Sequence, residues 1–196
     1  MNRLLSAIAA LRLLVARPAG AADPAPILVL ETGVHEAAIN AMAAMRDGSG
    51  FVTVSDDKTA RIWRDGGQEA GEVLRPPIGR GDDGALYSVA VSAKVIGVSG
   101  RVPALQGGYG IALYSAQDYR PLGMIPGLPT AAMAMKMSPA GDRLAVGLEI
   151  GGLRVYNLSP LGIALEDTDY PSQITSLDFD PAGRLAVAAG DNSVRL

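Results

Sequence analysis

The sequence contains no cysteine and only one histidine among 196 residues. A disulfide cannot form, and a zinc site built from cysteine and histidine cannot be assembled from these residue types. Any Ser-His-Asp arrangement would have to use His35, so most common catalytic constellations are excluded. The lack of cysteine is compatible with a reducing or an oxidising compartment and does not decide between them.

Aromatic residues make up 5% of the chain, charged residues make up 19%, and the formal net charge is -3. Lysine and arginine are scattered singly, so no basic stripe is present to neutralise a phosphate backbone, and we expect no nucleic-acid partner. Glycine (24 residues) and proline (13 residues) are plentiful, which favours many short strands joined by tight turns. We therefore predict an all-β protein, and we expect no metal and no cofactor.

The N-terminus has the composition of a secretory signal peptide. A positively charged start precedes a mostly apolar stretch over residues 4–16 and small residues before Asp23. We predict that residues 1–22 are such a segment and that the protein is periplasmic or secreted. Arg12 and Arg17 interrupt the apolar stretch, so an organelle transit peptide, or an ordinary helix of a cytoplasmic protein, remains an alternative. No other stretch approaches the roughly 20 apolar residues that span a membrane, so we expect no span after signal removal.

Four segments alternate apolar with small or polar residues and predict the first strand of a repeated unit. They are Ile39–Met45, Leu86–Ser92, Ala132–Ser138 and Ile174–Asp180. Each is followed by a tight turn and a second strand. A third strand ends in an aromatic residue at positions 63, 114 and 156, and a weaker fourth strand closes those three units. Four strands per unit at a spacing in the forties is typical of a β-propeller blade.

The predicted blades lie near residues 35–80, 84–128 and 130–170, with a truncated blade at 172–196, after a lead-in segment over 23–34. Closed propellers have about four to eight blades, so about three and a half four-stranded blades form an incomplete array. An open array exposes strand edges and the apolar faces of its end blades. We therefore interpret the sequence as a fragment and expect the isolated chain to self-associate.

An acidic turn followed by a strand ending in tryptophan carries the most specific signal. His35, Ser55, Asp57 and Trp63 resemble the structural tetrad of the WD-repeat β-propeller family, and the resemblance extends over residues 35–196. The resemblance implies a chain of hydrogen bonds. The Trp63 indole would donate to the Ser55 hydroxyl, the hydroxyl to the His35 imidazole, and the imidazole to the Asp57 carboxylate. Each buried polar group would then have a partner, which gives these residues a structural role.

The last unit repeats the spacing of this turn, with Asp191, Ser193 and Arg195 at the corresponding places. The two middle units depart from it, because Gly108 and Ile150 replace the turn aspartate. We therefore expect the middle blades to lack the full hydrogen-bond network.

The segments 31–35, 55–63 and 74–79 are similar to the start of exported bacterial WD-repeat proteins, some of which carry a caspase-like peptidase domain. The resemblance implies a protein-interaction scaffold without enzymatic activity, and this chain itself carries no catalytic constellation. The alternative is a sensory or substrate-recruiting module of a larger enzyme, such as a caspase-like peptidase, whose catalytic domain would lie beyond residue 196.

A protein partner is expected to contact rim loops. Exposed aromatic and cationic side chains are over-represented at binding hot spots, and Lys58, Tyr87, Tyr109 and Tyr170 are the candidates for such contacts.

Arginine recurs two residues before the aromatic position of the third strand, at Arg61 and Arg154, and again at Arg195. Alternation places the arginine on the same face of the strand as the aromatic residue. One interpretation is a ring of positive charge for an anionic partner. The other is a long aliphatic stem that covers the neighbouring strand.

Overall fold

The computed structural model describes residues 32–64, 71–77, 79–102 and 108–196, and all regular secondary structure in these ranges is β-strand. The predicted signal-peptide segment at 1–22, and the lead-in segment before residue 32, lie outside the described residues.

Fifteen strands form four antiparallel sheets, which we call blades 1 to 4, and in each sheet the strands lie in chain order. Blade 1 contains β1 (Ile39–Ala44), β2 (Gly50–Ser55), β3 (Ala60–Arg64) and β4 (Glu72–Leu74). Blade 2 contains β5 (Leu86–Val91), β6 (Val95–Val102), β7 (Gly108–Ser115) and β8 (Pro121–Leu128). Blade 3 contains β9 (Ala132–Met137), β10 (Arg143–Leu148), β11 (Leu153–Leu158) and β12 (Leu161–Asp167). Blade 4 contains β13 (Ile174–Phe179), β14 (Leu185–Ala189) and the short β15 (Val194–Arg195).

The predicted hairpins join the first and second strands of each blade. Gly48 and Gly141, each with a φ of 73°, occupy the left-handed region in two of these turns, which glycine adopts without a steric penalty. The corresponding turn of blade 2 uses a serine instead, since the Ser92 hydroxyl oxygen accepts hydrogen bonds from the amides of Lys94 and Val95 at 3.3 and 2.9 Å. Local turn chemistry therefore fixes the registers of these hairpins.

The first strands of successive blades lie side by side, with β5 next to β1, β9 next to β5 and β13 next to β9. All four line one common groove. The sheets are therefore arranged around an axis, and each blade has a forward face towards the next blade in the chain and a backward face towards the preceding blade.

The hydrophobic core is divided into three layers, one between each pair of consecutive blades. Between blades 2 and 3, the small residues Ala90 and Gly97 on the forward face of blade 2 meet Met137 and Leu144 on the backward face of blade 3. A Cβ atom on Gly97 would lie 3.5 Å from Cε of Met137, an ordinary van der Waals distance.

The layer between blades 3 and 4 also places small residues against large ones. Ala134 and Gly147 on the forward face of blade 3 meet Ile174 and Leu177 on the backward face of blade 4. A Cβ atom on Gly147 would lie only 2.3 Å from Cγ2 of Ile174, far inside van der Waals contact. Glycine and alanine at these points accommodate larger side chains of the next blade, beside larger forward-facing residues such as Ile111, Leu113, Leu153 and Val155.

Candidate partner-binding surface

A chain of hydrogen bonds crosses blade 1 from its tryptophan to its turn aspartate. Trp63 Nε1 lies 2.6 Å from Thr53 Oγ1, which lies 2.7 Å from His35 Nε2, and His35 Nδ1 lies 2.7 Å from Asp57 Oδ2. The indole can only donate and an ionised carboxylate can only accept. The threonine hydroxyl therefore donates to Nε2, Nδ1 carries the ring proton, and every polar group of the chain is satisfied.

The hydroxyl of this chain belongs to Thr53, so the prediction of Ser55 as a tetrad member is wrong. In the β2–β3 register Thr53 pairs with Arg61 and lies diagonally across from Trp63. Ser55 is two residues further along the strand, about 7 Å away at the rise of a β-strand. Its hydroxyl oxygen instead accepts a hydrogen bond from the amide of Asp57 at 3.0 Å and so stabilises the turn.

The Asp57 carboxylate accepts several of the hydrogen bonds that hold the turn. It accepts hydrogen bonds from the Thr59 hydroxyl at 2.6 Å, the Thr59 amide at 2.9 Å and the Glu36 amide at 3.1 Å, besides that from His35. Burial raises the pKa of this carboxyl, but the hydrogen bonds from Thr59, His35 and Glu36 outweigh it and lower the pKa below its usual value. With 3% of the His35 side chain and 9% of the Asp57 side chain exposed, the network is closed to a substrate and its role is structural.

Blade 4 repeats this turn in detail. Asp191 Oδ1 accepts hydrogen bonds from the Ser193 hydroxyl at 2.6 Å and the Ser193 amide at 2.9 Å, the same distances as for Thr59 in blade 1. Tyr170 stands four residues before β13, as His35 stands four residues before β1. The Arg195 guanidinium lies over the Tyr170 ring, 4.2 Å from its centroid. The prediction of Tyr170 as an exposed partner contact is wrong, because this stacking and the blade 3–blade 4 core bury the ring.

The recurrent arginines are engaged within the blades. Arg154 Nε donates to Glu166 at 2.9 Å, and its Nη1 donates to the carbonyl of Gly127, at the end of blade 2, at 3.2 Å. Arg195 donates to the carbonyl of Asp169, before β13. Buried Arg61 donates through Nε to the Thr59 hydroxyl at 3.2 Å. These guanidinium groups therefore hold blades and turns together, and the interpretation as a free ring of positive charge is wrong.

Lys58 lies at the tip of the blade 1 turn with a φ of 70°. Its ammonium donates to the carbonyl of Gly79 at 2.8 Å, on the connection between blades 1 and 2. The contact fixes this connection against the turn, so part of the hydrogen-bonding capacity of Lys58 is already used within the chain.

Tyr87 and Tyr109 lie together on the rim of blade 2, with ring centroids 6.2 Å apart and a tilt of 53°. The Arg101 guanidinium lies 5.9 Å from the centroid of the Tyr109 ring. Its nitrogens approach the carboxylates of Asp82 and Asp83 at 4.0 and 3.9 Å. We call these five residues the blade 2 rim patch.

The sequence pattern did not single out Arg101. It belongs to the patch because the β6–β7 register pairs Arg101 with Tyr109, and because the loop before β5 brings up the two aspartates. The strand alternation and the acidic Gly-rich loop were visible in the sequence, but the strand register that joins them was not. Burial, with a contribution from Tyr109, raises the pKa of the Tyr87 hydroxyl, which therefore remains a neutral hydrogen-bonding group.

The first strands of the four blades line a groove along the axis, with a volume of about 800 Å³. Arg46, Lys136 and Asp178 are its charged lining residues. Lys136 Nζ lies 2.9 Å from Asp178 Oδ1, and this hydrogen-bonded ion pair joins blades 3 and 4 and lowers the pKa of the aspartate.

Within the described parts of the chain, no three His, Cys, Asp or Glu side chains are grouped as a metal ion requires. The same residues include no helix of the length and apolarity needed to cross a membrane.

Four sheets set around an axis, each with its first strand innermost, define a β-propeller. The family model for the WD domain, G-beta repeat, matches residues 27–64 and 166–196, which contain the two turns with Asp57 and Asp191. Over these two stretches the chain is similar to the WD-repeat β-propeller family.

Solved propellers have the same fold. The WD40 β-propeller domain of Doa1 superposes with a TM-score of 0.66 at 20% identity, over 83% of this chain and 51% of that one. U3-55K superposes with a TM-score of 0.69 at 18% identity, over 83% of this chain and 49% of that one. The RRP9 WD40 repeats superpose with a TM-score of 0.69 at 17% identity, over 82% of this chain and 48% of that one. The chain thus spans about half the length of these propellers. No curated protein matches it.

Proposed function

We propose that the chain is an exported, non-enzymatic protein-interaction scaffold that binds its partner at the blade 2 rim patch. The observation that carries the proposal is the pairing of Tyr87 with Tyr109 beside Arg101 on the rim of a propeller blade. Tyrosine and arginine are among the residue types that contribute most to protein–protein binding energy.

The patch is built on rigid elements. Tyr87, Arg101 and Tyr109 belong to β5, β6 and β7, three hydrogen-bonded neighbours in one sheet. All three side chains are half-buried, so packing holds them in place. Little conformational entropy is therefore lost when a partner binds, which favours affinity.

The charge of the patch indicates the chemistry of its partner. The Asp82 side chain is 83% exposed, and Asp82 and Asp56 both contribute negative potential at the Tyr87 hydroxyl. Two aromatic rings beside exposed carboxylates suit a segment that presents a lysine or arginine next to an apolar residue. We propose a basic, extended peptide segment of a protein as the partner.

A non-enzymatic role is consistent with the state of the histidine. Both ring nitrogens of His35 are engaged, by Thr53 and Asp57, and its side chain is almost fully buried. An imidazole held in this way cannot approach a substrate as a general base. A link to a peptidase domain remains a prediction from the sequence resemblance.

The binding proposal is tested with the whole chain on an array of synthetic peptides that vary in basic and aromatic content. We expect Tyr87→Ala combined with Tyr109→Ala to abolish binding of basic peptides. Tyr119→Ala is the matched control, because Tyr119 lies beside an arginine, Arg64, in the same way but outside the patch. Loss of binding in the double variant alone supports the proposal. Unchanged binding in the double variant, or equal loss in the control, contradicts it.

The export part of the proposal is supported by the composition of residues 1–22. The test is expression in a Gram-negative host, followed by fractionation and N-terminal sequencing. We expect a periplasmic product that begins between Ala21 and Asp23. A cytoplasmic product that retains Met1 would contradict export while leaving the binding proposal intact.

A further inference from the structure

Arg101 is the one cation among the five residues of the blade 2 rim patch, and its hydrogen-bonding capacity is not fully used. Its Nε atom is buried and has no hydrogen-bond partner within the described ranges. The carboxylates of Asp82 and Asp83 approach the guanidinium to 4.0 and 3.9 Å, which is longer than a hydrogen bond. The two aspartates therefore compensate the charge of Arg101 by electrostatic attraction, while its donors remain available to an acceptor.

The loop that carries the two aspartates is held in place by its backbone. The Ala85 amide donates to the Asp82 carbonyl at 2.9 Å. The Gly84 amide donates to the Arg101 carbonyl at 3.0 Å, and the Arg101 amide donates to the Ala85 carbonyl at 3.1 Å, so the loop is joined to β6 beside the guanidinium. These bonds use no carboxylate. The side chains of Asp82 and Asp83 can therefore be neutralised while the loop keeps its position.

The two carboxylates differ in exposure and outnumber the guanidinium. The Asp82 side chain is 83% exposed, whereas those of Asp83 and Arg101 are 34% and 33% exposed. Asp82 is thus open to a partner, and Asp83 lies at the depth of the guanidinium. At the Tyr87 hydroxyl, Arg101 supplies positive potential, and Asp56 and Asp82 supply negative potential. Neutral side chains at positions 82 and 83 would leave Arg101 as the only charged residue of the patch.

We infer that Asp82 and Asp83 determine the charge preference of the blade 2 rim patch by masking Arg101. The inference rests on the proposed function, in which this patch binds an extended peptide segment. With both carboxylates present, the patch selects a basic segment. Without them, the same patch selects an acidic segment, because a guanidinium with free donors binds a carboxylate in a two-pronged geometry.

The experiment measures the affinity of the whole chain for two synthetic peptides by isothermal titration calorimetry. One is the basic peptide that binds most tightly in the array described above, and the other has glutamate in place of each lysine and arginine. Asp82→Asn combined with Asp83→Asn keeps the size and polarity of both side chains. We expect about tenfold weaker binding of the basic peptide and about tenfold tighter binding of the acidic one, as two partly exposed ion pairs can supply.

The control for overall charge is Asp118→Asn combined with Asp169→Asn. These carboxylates lie 3.3 and 3.8 Å from Arg120 and Arg195, outside the patch, and their removal changes the net charge of the chain by the same amount. This variant should bind both peptides like the wild type. Circular dichroism on every variant shows whether the strands are retained, so that a change in binding is not mistaken for loss of folding.

A triple variant tests whether Arg101 is the group that the aspartates mask. Adding Arg101→Gln to the two aspartate substitutions should abolish the gained affinity for the acidic peptide. The inference is overturned if the double variant still prefers the basic peptide, if it loses both peptides alike, if the charge control shifts in the same way, or if the triple variant keeps the gained affinity. A wild type that binds no basic peptide contradicts the proposed function itself, and the inference with it.

Discussion

Thr53 and Trp63 are joined by a hydrogen bond of 2.6 Å from the indole nitrogen to the threonine hydroxyl, across two paired strands of blade 1. This bond connects the aromatic end of the third strand to His35 and, through it, to the turn at Asp57. Since the protein has a single tryptophan, its fluorescence reports on this network directly. Blade 1 therefore contains a hydrogen-bond network that has a fluorescent probe, Trp63, at one end.

Removal of the Thr53 hydroxyl tests whether Thr53 is the residue that links Trp63 to His35. Thr53→Val keeps the side-chain shape but leaves the indole N–H and the imidazole Nε2 without their partner in a buried site. We expect a loss of about 1–3 kcal/mol in the free energy of unfolding, because unsatisfied buried groups cost more than a hydrogen bond contributes. The measurement is urea denaturation followed by tryptophan fluorescence.

Ser55→Ala is the control for this change, since it removes only the turn bond to the Asp57 amide and should cost about 1 kcal/mol or less. If Ser55→Ala destabilised the protein more than Thr53→Val, the hydroxyl that completes the chain would have been assigned to the wrong residue.

Because of the Asp57 carboxyl, the stability of blade 1 depends on pH in the acidic range. The pKa of this carboxyl in the folded protein is lowered, because hydrogen bonds to the anion outweigh the effect of burial. The stabilisation is therefore complete above the ordinary aspartate pKa of about 4 and is lost as the pH falls through the lower folded value. Asp57→Asn has no charge to stabilise, so its stability at neutral pH should be lower and its decline below pH about 4 less steep.

Denaturation curves at a series of pH values between neutral and strongly acidic compare the two proteins. The two profiles should converge on acidification. A constant difference between them at all pH values would show that the anionic form of Asp57 contributes nothing specific.

The fold was largely predictable because the information for strands is local. The four predicted first strands end within one residue of β1, β5, β9 and β13. Alternation of apolar and polar residues reflects which face of a strand is buried, and turn residues mark its ends. The acidic turns at Asp57 and Asp191 were equally predictable, since each hydrogen-bonds to a residue only two positions away.

The site was less predictable because it depends on strand register and on contacts between blades. The pairing of β2 with β3, not the position of a hydroxyl in the sequence, decides that Thr53 meets Trp63. Likewise, Tyr170 resembles an exposed loop residue until Arg195 is placed over its ring. Tyr87 and Tyr109 are 22 positions apart in the sequence and become neighbours only through the sheet.

Packing between blades 3 and 4 allows no added volume at Gly147. A methyl group there would overlap the Ile174 side chain, so Gly147→Ala should lower the free energy of unfolding by about 1–3 kcal/mol through overpacking. Gly162→Ala is the matched control in the same blade, where a Cβ atom would meet nothing within 4 Å. It should leave the stability unchanged or slightly raised. Thermal unfolding followed by circular dichroism compares the two, and equal stability would show that the blades can separate without cost.

We predict that titration of the Tyr114 hydroxyl lowers the stability of the folded protein at high pH. Tyr114 occupies the aromatic position of the third strand of blade 2, and burial in the blade 1–blade 2 core raises the pKa of its hydroxyl from 10.0 to about 12. The folded protein holds the neutral phenol, so this contribution is complete below pH about 10 and is lost as the pH rises to about 12. Tyr114→Phe lacks the titrating group, and its stability should fall less over this interval. The measurement is phenolate absorbance against pH in the two proteins, and the curves should differ by one tyrosine that titrates late. If the tyrosine absent from Tyr114→Phe titrates at the ordinary value instead, Tyr114 is not held in the blade 1–blade 2 core.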